Sequence, residues 1–230
     1  MTAKDLVRPL PGIRRLSLLR QQIAFRGSAT YWEQNYAQGG TSGPGSYGDL
    51  ARGKAAFLNT FVREHDVRSV SEFGCGDGQQ LSLADYPSYV GLDVSRSAIA
   101  LCKRRFAGDA TKSFFLYDGS CFVDRARVFT ADVALSLDVI YHLTEDQVFS
   151  TYMEHLFGAG SRFVVIYATN TEISGTAPHV RHRRFTEWVE TQCPQWRLAQ
   201  VTPGPDRGPA RADFFTYGRV RERRPEVPTH

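Results

Sequence analysis

At residues 72–78 the chain reads E-F-G-C-G-D-G, and no other stretch constrains the fold as much. The apolar run "SVSEF" leads into it, and Gly74, Gly76 and Gly78 alternate with other residues. A short strand that breaks into a glycine loop is how an open α/β sheet starts a ligand site at the carboxyl edge of its first strand. The rest of the chain keeps that rhythm. "YVGLDV", "SFFLYD", "ADVALSLD" and "SRFVVIYATN" read as further strands, the third of these nearly continuous in apolar character, as a buried parallel strand is. "LARGKAAFLNTFVREH", "SRSAIALCKRRF", "TEDQVFSTYMEHLF" and "RRFTEWVETQC" read as helices, with Ser95 as an N-cap. "WRLAQV" and "ADFFTYGRV" close the series as strands. Strands alternating with helices predict an α/β fold with a mainly parallel sheet.

The loop's spacing and charge bear on what it holds. A dinucleotide site wants G-x-G-x-x-G, with the third glycine letting a helix pack close under a pyrophosphate. Counted from Gly74 that position is Gln79, and the glycine comes one residue early, at Gly78. Glu72 within the strand and Asp77 in the loop suit a cation rather than a phosphate. S-adenosylmethionine (SAM) carries a sulfonium and an ammonium and no phosphate. Asp93 ends the second strand, where a carboxylate can accept both hydroxyls of a ribose. Asp118 ends the third, where it can take an adenine amino group, with Gly119 and Ser120 beside it to serve a ring nitrogen. Asp138 ends the fourth. One acid after a strand is often only a turn former. Four in succession make a pattern.

In these motifs the chain resembles the class I SAM-dependent methyltransferases, from about Val67 to Tyr167 in motif order. "EFGCGDG" is similar to the family's first motif, "VGLDVS" to its ribose-binding acid, "YDGS" to its adenine-side motif and "LSLDVIYHL" to the motif of its fourth strand. The resemblance implies a Rossmann-like sheet of seven strands, mainly parallel with an antiparallel last strand, and helices on both faces. It also implies that Glu72, Gly74, Gly76 and Gly78 line the methionine half of SAM. Asp93 would hold the ribose, Asp118 the adenine side, and Asp138 would stand beside the cofactor. The segment "YWEQNYAQGGTSGPGSYGDL" resembles small bacterial, actinobacterial methyltransferases of sugars and secondary metabolites, among them the mycobacterial type that methylates mannosides.

Methyl transfer needs an aligned acceptor and, for a hydroxyl, a route for its proton. Methyltransferases of base amino groups often carry N-P-P-Y or D-P-P-Y where this chain has Asp138, Val139, Ile140 and Tyr141, which argues against that chemistry. His142 follows directly. It is either a general base, with activity rising as an imidazole of ordinary pKa near 6.5 loses its proton, or a loop-orienting residue. Asp138 and Asn170, at the ends of the fourth and fifth strands, are conceivable oxygen ligands for Mg²⁺. The basic loop at 179–184 holds Arg181, which with Tyr47 and Tyr141 makes up the candidate acceptor contacts. Tyr31, Trp32, Tyr36 and Tyr47 are too aromatic for a solvated linker. So many glycines follow that no regular element is expected there, and the segment reads as a mobile lid.

Composition sets the outer limits. The chain has 230 residues, 42% hydrophobic, with a net charge of +4, so nucleic acid is tolerated as a partner but not demanded. Its 4 cysteines are scattered without a C-x-x-C pair, which predicts free thiols and a cytoplasmic protein. No apolar run approaches the roughly 20 residues of a membrane span. The expected organisation is a helical and lid segment over 1–50, a methyltransferase domain over 51–220 and a tail over 221–230, with a homodimer possible. The function expected is O-methylation of a small molecule, most simply a saccharide. RNA or protein methylation through the basic loop, and SAM binding without catalysis, are the alternatives. An NAD oxidoreductase is disfavoured by Gln79 and Glu72.

Overall fold

The computed structural model describes residues 27–173, 177–206 and 211–220. Residues 1–26 of the helical and lid segment expected over 1–50, and the tail 221–230, lie outside the described residues.

A seven-stranded sheet forms the middle layer, in the order β3-β2-β1-β4-β5-β7-β6. Its strands are β1 (Val70–Phe73), β2 (Tyr89–Asp93), β3 (Lys112–Leu116), β4 (Ala131–Leu137), β5 (Gly160–Ala168), β6 (Trp196–Pro203) and β7 (Asp213–Arg219). Pairing is parallel from β3 through β5, and only β7 runs antiparallel, against both β5 and β6. The expected antiparallel "ADFFTYGRV" is β7.

The central strands are apolar because both faces are covered. On one face Leu58, Phe61 and Val62 of α2 (Gly48–Glu64) and Ile99 and Cys102 of α3 (Arg96–Arg105) pack on Val70, Val133 and Val165. On the other, Phe149, Met153 and Leu156 of α4 (Asp146–Ala159) and Phe185 and Val189 of α5 (Phe185–Gln192) pack on Phe73, Ala134 and Ile166. Ser95 caps α3, its side chain accepting from the Ala98 N–H.

Chain order reverses between β1 and its neighbour β4, and helices diverge to opposite faces there. That leaves a crevice at the carboxyl ends of the strands. The lid is where the sequence reading goes astray. Its aromatic half is a helix, α1 (Ser28–Ala37), because the glycines that break regular structure begin only at Gly39. Helix α2 begins at Gly48 and so runs through the boundary expected at residue 50.

Candidate functional site

A cavity of about 580 Å³ opens at that crevice, a size typical of small-molecule sites. Glu72, Gly74 and Gly76 line it from β1 and the glycine loop, Asp93 from β2, Asp118, Gly119 and Ser120 from beyond β3, and Asp138 and His142 from beyond β4. Helix α1 roofs it with Trp32 and Tyr36.

The glycine loop is built by backbone that other residues rarely adopt. Gly74, Gly76 and Gly78 have φ of +84°, +56° and +74°. Gly78 stands away from the cavity wall: a methyl group there would press on Phe106 and Cys102 of the α3 region. Its task is close helix packing rather than ligand contact. Asp77 also turns away from the cavity. It accepts from the Ser42 N–H and the Tyr47 hydroxyl (2.8 Å), tying the glycine-rich segment after α1 to the loop. Tyr47 is thus spent on Asp77 and does not line the cavity.

Two acids are buried, and among the described residues neither is in an ion pair. Glu72 accepts from the Tyr89 hydroxyl at 2.6 Å, and burial pushes its pKa up to about 7. Asp93 accepts from the backbone N–H of Gly76 (2.9 Å) and Ser95 (2.8 Å), and burial raises it to about 6. Asp118 is exposed and held below the usual carboxylate range by hydrogen bonds from Ser120.

Asp138 is the most constrained. It sits at φ +59°, a left-handed conformation that aspartate tolerates better than most residues. One carboxylate oxygen accepts from the Tyr141 hydroxyl (2.8 Å) and the other from the Lys54 ammonium (2.5 Å). Tyr141 therefore points its hydroxyl at Asp138, and it is not on the cavity wall. The Asn170 amide is bonded on both sides to Thr186 of α5. With an ammonium on Asp138 and Asn170 committed elsewhere, this pair does not fit a divalent cation. Among the described residues no group of three or more histidine, cysteine or acidic side chains could hold a metal.

His142 is half-buried against Trp32, ring centroids 4.8 Å apart and edge to face. Its Nδ1 donates to the His179 carbonyl at 3.0 Å, which leaves Nε2 as the acceptor. Burial pulls its pKa down to about 4, so the imidazole is neutral across the physiological range. The pH-dependent rise expected of an ordinary histidine does not apply to it.

The arginines of the basic loop are partnered by acids and carbonyls of neighbouring elements. Arg181 pairs with Asp146 (2.8 Å) and donates to the Thr144 carbonyl. Arg183 donates to the carbonyls of Leu143 and Thr144, and Arg184 pairs with Glu187. Arg181 joins the loop to α4 and lies off the cavity wall.

Two features escaped the sequence. Lys54, buried in α2, lines the cavity. Glu33 of α1 accepts from the Ser95 hydroxyl (2.6 Å) and from Ser97 N–H and hydroxyl, clamping the roof onto the start of α3. A carboxylate directly after "TYW" and a lysine in an amphipathic helix carry no local sign of either role.

No protein-family model matches the sequence. The chain is 28% identical over 176 residues to a small RNA 2′-O-methyltransferase of Arabidopsis thaliana, matching 64% of this chain and 19% of that protein. It is 26% identical over 167 residues to the small RNA 2′-O-methyltransferase of Mus musculus, matching 65% of this chain and 42% of the other. The chain thus spans less than half the length of these curated relatives. Among solved structures it resembles N-methyltransferase NodS from Bradyrhizobium japonicum WM9 in complex with S-adenosylhomocysteine, with a TM-score of 0.65, 14% identity, and coverage of 85% of this chain and 100% of that one. It also resembles the methyltransferase domain of bacterial CtHen1-CN, with a TM-score of 0.58, 18% identity, and coverage of 73% and 98%. The chain has the class I methyltransferase fold. Both of these curated relatives carry a small-RNA name rather than a sugar one.

Proposed function

We propose that this protein is a SAM-dependent O-methyltransferase whose acceptor is a hydroxyl on a sugar ring. One observation carries the reading. Glu72, Asp93 and Asp138, from the ends of adjacent strands, converge on one cavity, so its wall is acidic where a dinucleotide would bring phosphates. Such a wall suits a ligand with a sulfonium, an ammonium and ribose hydroxyls. Fold neighbours solved with bound SAM or S-adenosylhomocysteine support the same ligand.

When bound, SAM supplies an electrophilic methyl group that an acceptor oxygen takes, releasing S-adenosylhomocysteine. The chain's own residues do the rest. Trp32 and Tyr36 cover the cavity and exclude water. Asp93 holds the ribose and Asp118 with Gly119 and Ser120 the adenine side. His142 accepts a hydrogen bond from the acceptor hydroxyl at Nε2. It is a weak base, but an alcohol becomes strongly acidic as its oxygen shares a lone pair with the methyl carbon, so the proton can pass to His142 late.

The acceptor end favours a neutral sugar. Trp32 and His142 line the cavity and meet edge to face, two uncharged rings suited to the apolar face of a pyranose. The arginines of the nearby loop are bound to Asp146, Glu187 and backbone carbonyls. A free or glycosidic saccharide is therefore the reading adopted. The second reading, the 2′-hydroxyl of a small RNA, is favoured by the names of the curated relatives and uses the same chemistry. Incubation with methyl-labelled SAM, a panel of monosaccharides and glycosides, and short RNAs separates them. Label in a saccharide is expected. Label in RNA alone would overturn the saccharide reading, and SAM binding without any transfer would point to a non-catalytic binder.

A further inference from the structure

Lys54 is 1% exposed, yet it lines the cavity. Burying an ammonium is costly unless its donors are used. A lysine has three N–H donors, and among the described residues only Asp138 takes one as a hydrogen bond, at 2.5 Å. The ring of Tyr167 lies 5.2 Å from the nitrogen on another side. Among the described residues its two other donors have no acceptor, and Lys54 stands on the same cavity wall as Glu72.

The cavity's cations are divided between its two ends. Besides Lys54, the one other lysine or arginine on its wall is Arg96, among the described residues. Arg96 opens α3 two residues after Val94, so it belongs to the end defined by Asp93 and Asp118. Lys54 stands at the opposite end, between Glu72 and Asp138 and against the glycine-rich segment at Gly45. A methionine moiety presents an ammonium and a carboxylate at that end. Acids there can take the ammonium, and a carboxylate needs a cation.

We infer that Lys54 anchors the carboxylate of the methionine moiety of SAM, sharing its ammonium between that carboxylate and Asp138. The inference rests on the SAM reading above. It makes Lys54 a binding and specificity residue, because a ligand with the same nucleoside and ammonium but no carboxylate leaves two buried N–H donors unmet.

The test compares S-adenosylhomocysteine with its decarboxylated analogue by calorimetry, on the full chain and on Lys54→Met. The unsubstituted protein should bind the decarboxylated analogue roughly 10–100-fold more weakly. Lys54→Met should lose a similar factor for S-adenosylhomocysteine and should no longer distinguish the two ligands. A lysine that merely supports the fold would weaken both ligands equally and leave the discrimination intact, and that result overturns the inference. If Lys54→Met does not fold, Lys54→Gln serves, because it also removes the cation and should likewise lose the discrimination. Equal affinity of the unsubstituted protein for both ligands also overturns it. Failure of that protein to bind S-adenosylhomocysteine at all would instead remove the SAM reading on which it rests.

Discussion

Glu72 and Asp93 give the site a proton inventory that can be measured. Burial raises both, to about 7 and about 6, so at pH 6 the free protein carries Glu72 largely protonated and Asp93 about half so. A ligand that brings positive charge to Glu72 and hydroxyl donors to Asp93 favours the ionised forms and lowers both values. Binding should then release protons, and affinity should rise as pH increases from 5 to about 7 and level off above. Titrations at pH 6 in two buffers of different ionisation enthalpy count those protons, and a heat independent of buffer would argue against this charge placement. His142 behaves oppositely. With its pKa down at about 4 it stays neutral above pH 5, so kcat at saturating SAM should be flat between pH 6 and 8. His142→Ala should lower kcat roughly 10²-fold with little change in cofactor affinity. Wild-type turnover in that variant would make His142 structural. The acids were legible in the sequence because each lies in or at the end of an apolar strand. Lys54 was not, because its burial depends on Asp138, 84 residues away in the chain.

At the scale of elements, strands could be read because a strand buried on both faces must be apolar along its length, as "ADVALSLD" is. Helix α1 could not, since its stability comes from distant partners. Glu33 reaches α3, and the Ser28 N–H and hydroxyl reach Glu145 at the start of α4. The roof is thus fastened at its start and at its middle to other helices. Glu33→Ala should raise hydrogen exchange across α1 and speed ligand dissociation by roughly 3–10-fold, leaving exchange in the sheet unchanged. Unaltered exchange in α1 would mean that aromatic packing alone holds it. Gly78 tests the loop in the same way. At φ +74°, with Phe106 and Cys102 in the path of a side chain, Gly78→Ala should cost about 1–3 kcal/mol of stability in denaturant unfolding. A variant as stable as the parent would show that the loop can relax.

Over the whole molecule, the reversal of strand order between β1 and β4 decides where chemistry can occur, and the motif order along the chain made that crevice foreseeable. The surface charge was harder to foresee. "HVRHRR" looks like an anion site in sequence, and only the fold brings Asp146 and the carbonyls of 143–144 against its arginines. A net charge of +4 with those arginines occupied predicts weak, non-specific RNA binding that is lost at physiological salt. Tight RNA binding that persists at physiological salt would favour the small-RNA reading. The central claim is that the acidic crevice is a SAM site, and calorimetric titration with S-adenosylhomocysteine and with NADH, on the parent chain and on Asp93→Asn, tests it most directly. Saturable one-to-one binding of S-adenosylhomocysteine is expected, weakened about 10-fold or more by Asp93→Asn, with no measurable binding of NADH. NADH binding more tightly than S-adenosylhomocysteine, or an Asp93→Asn variant with unchanged affinity, would contradict it.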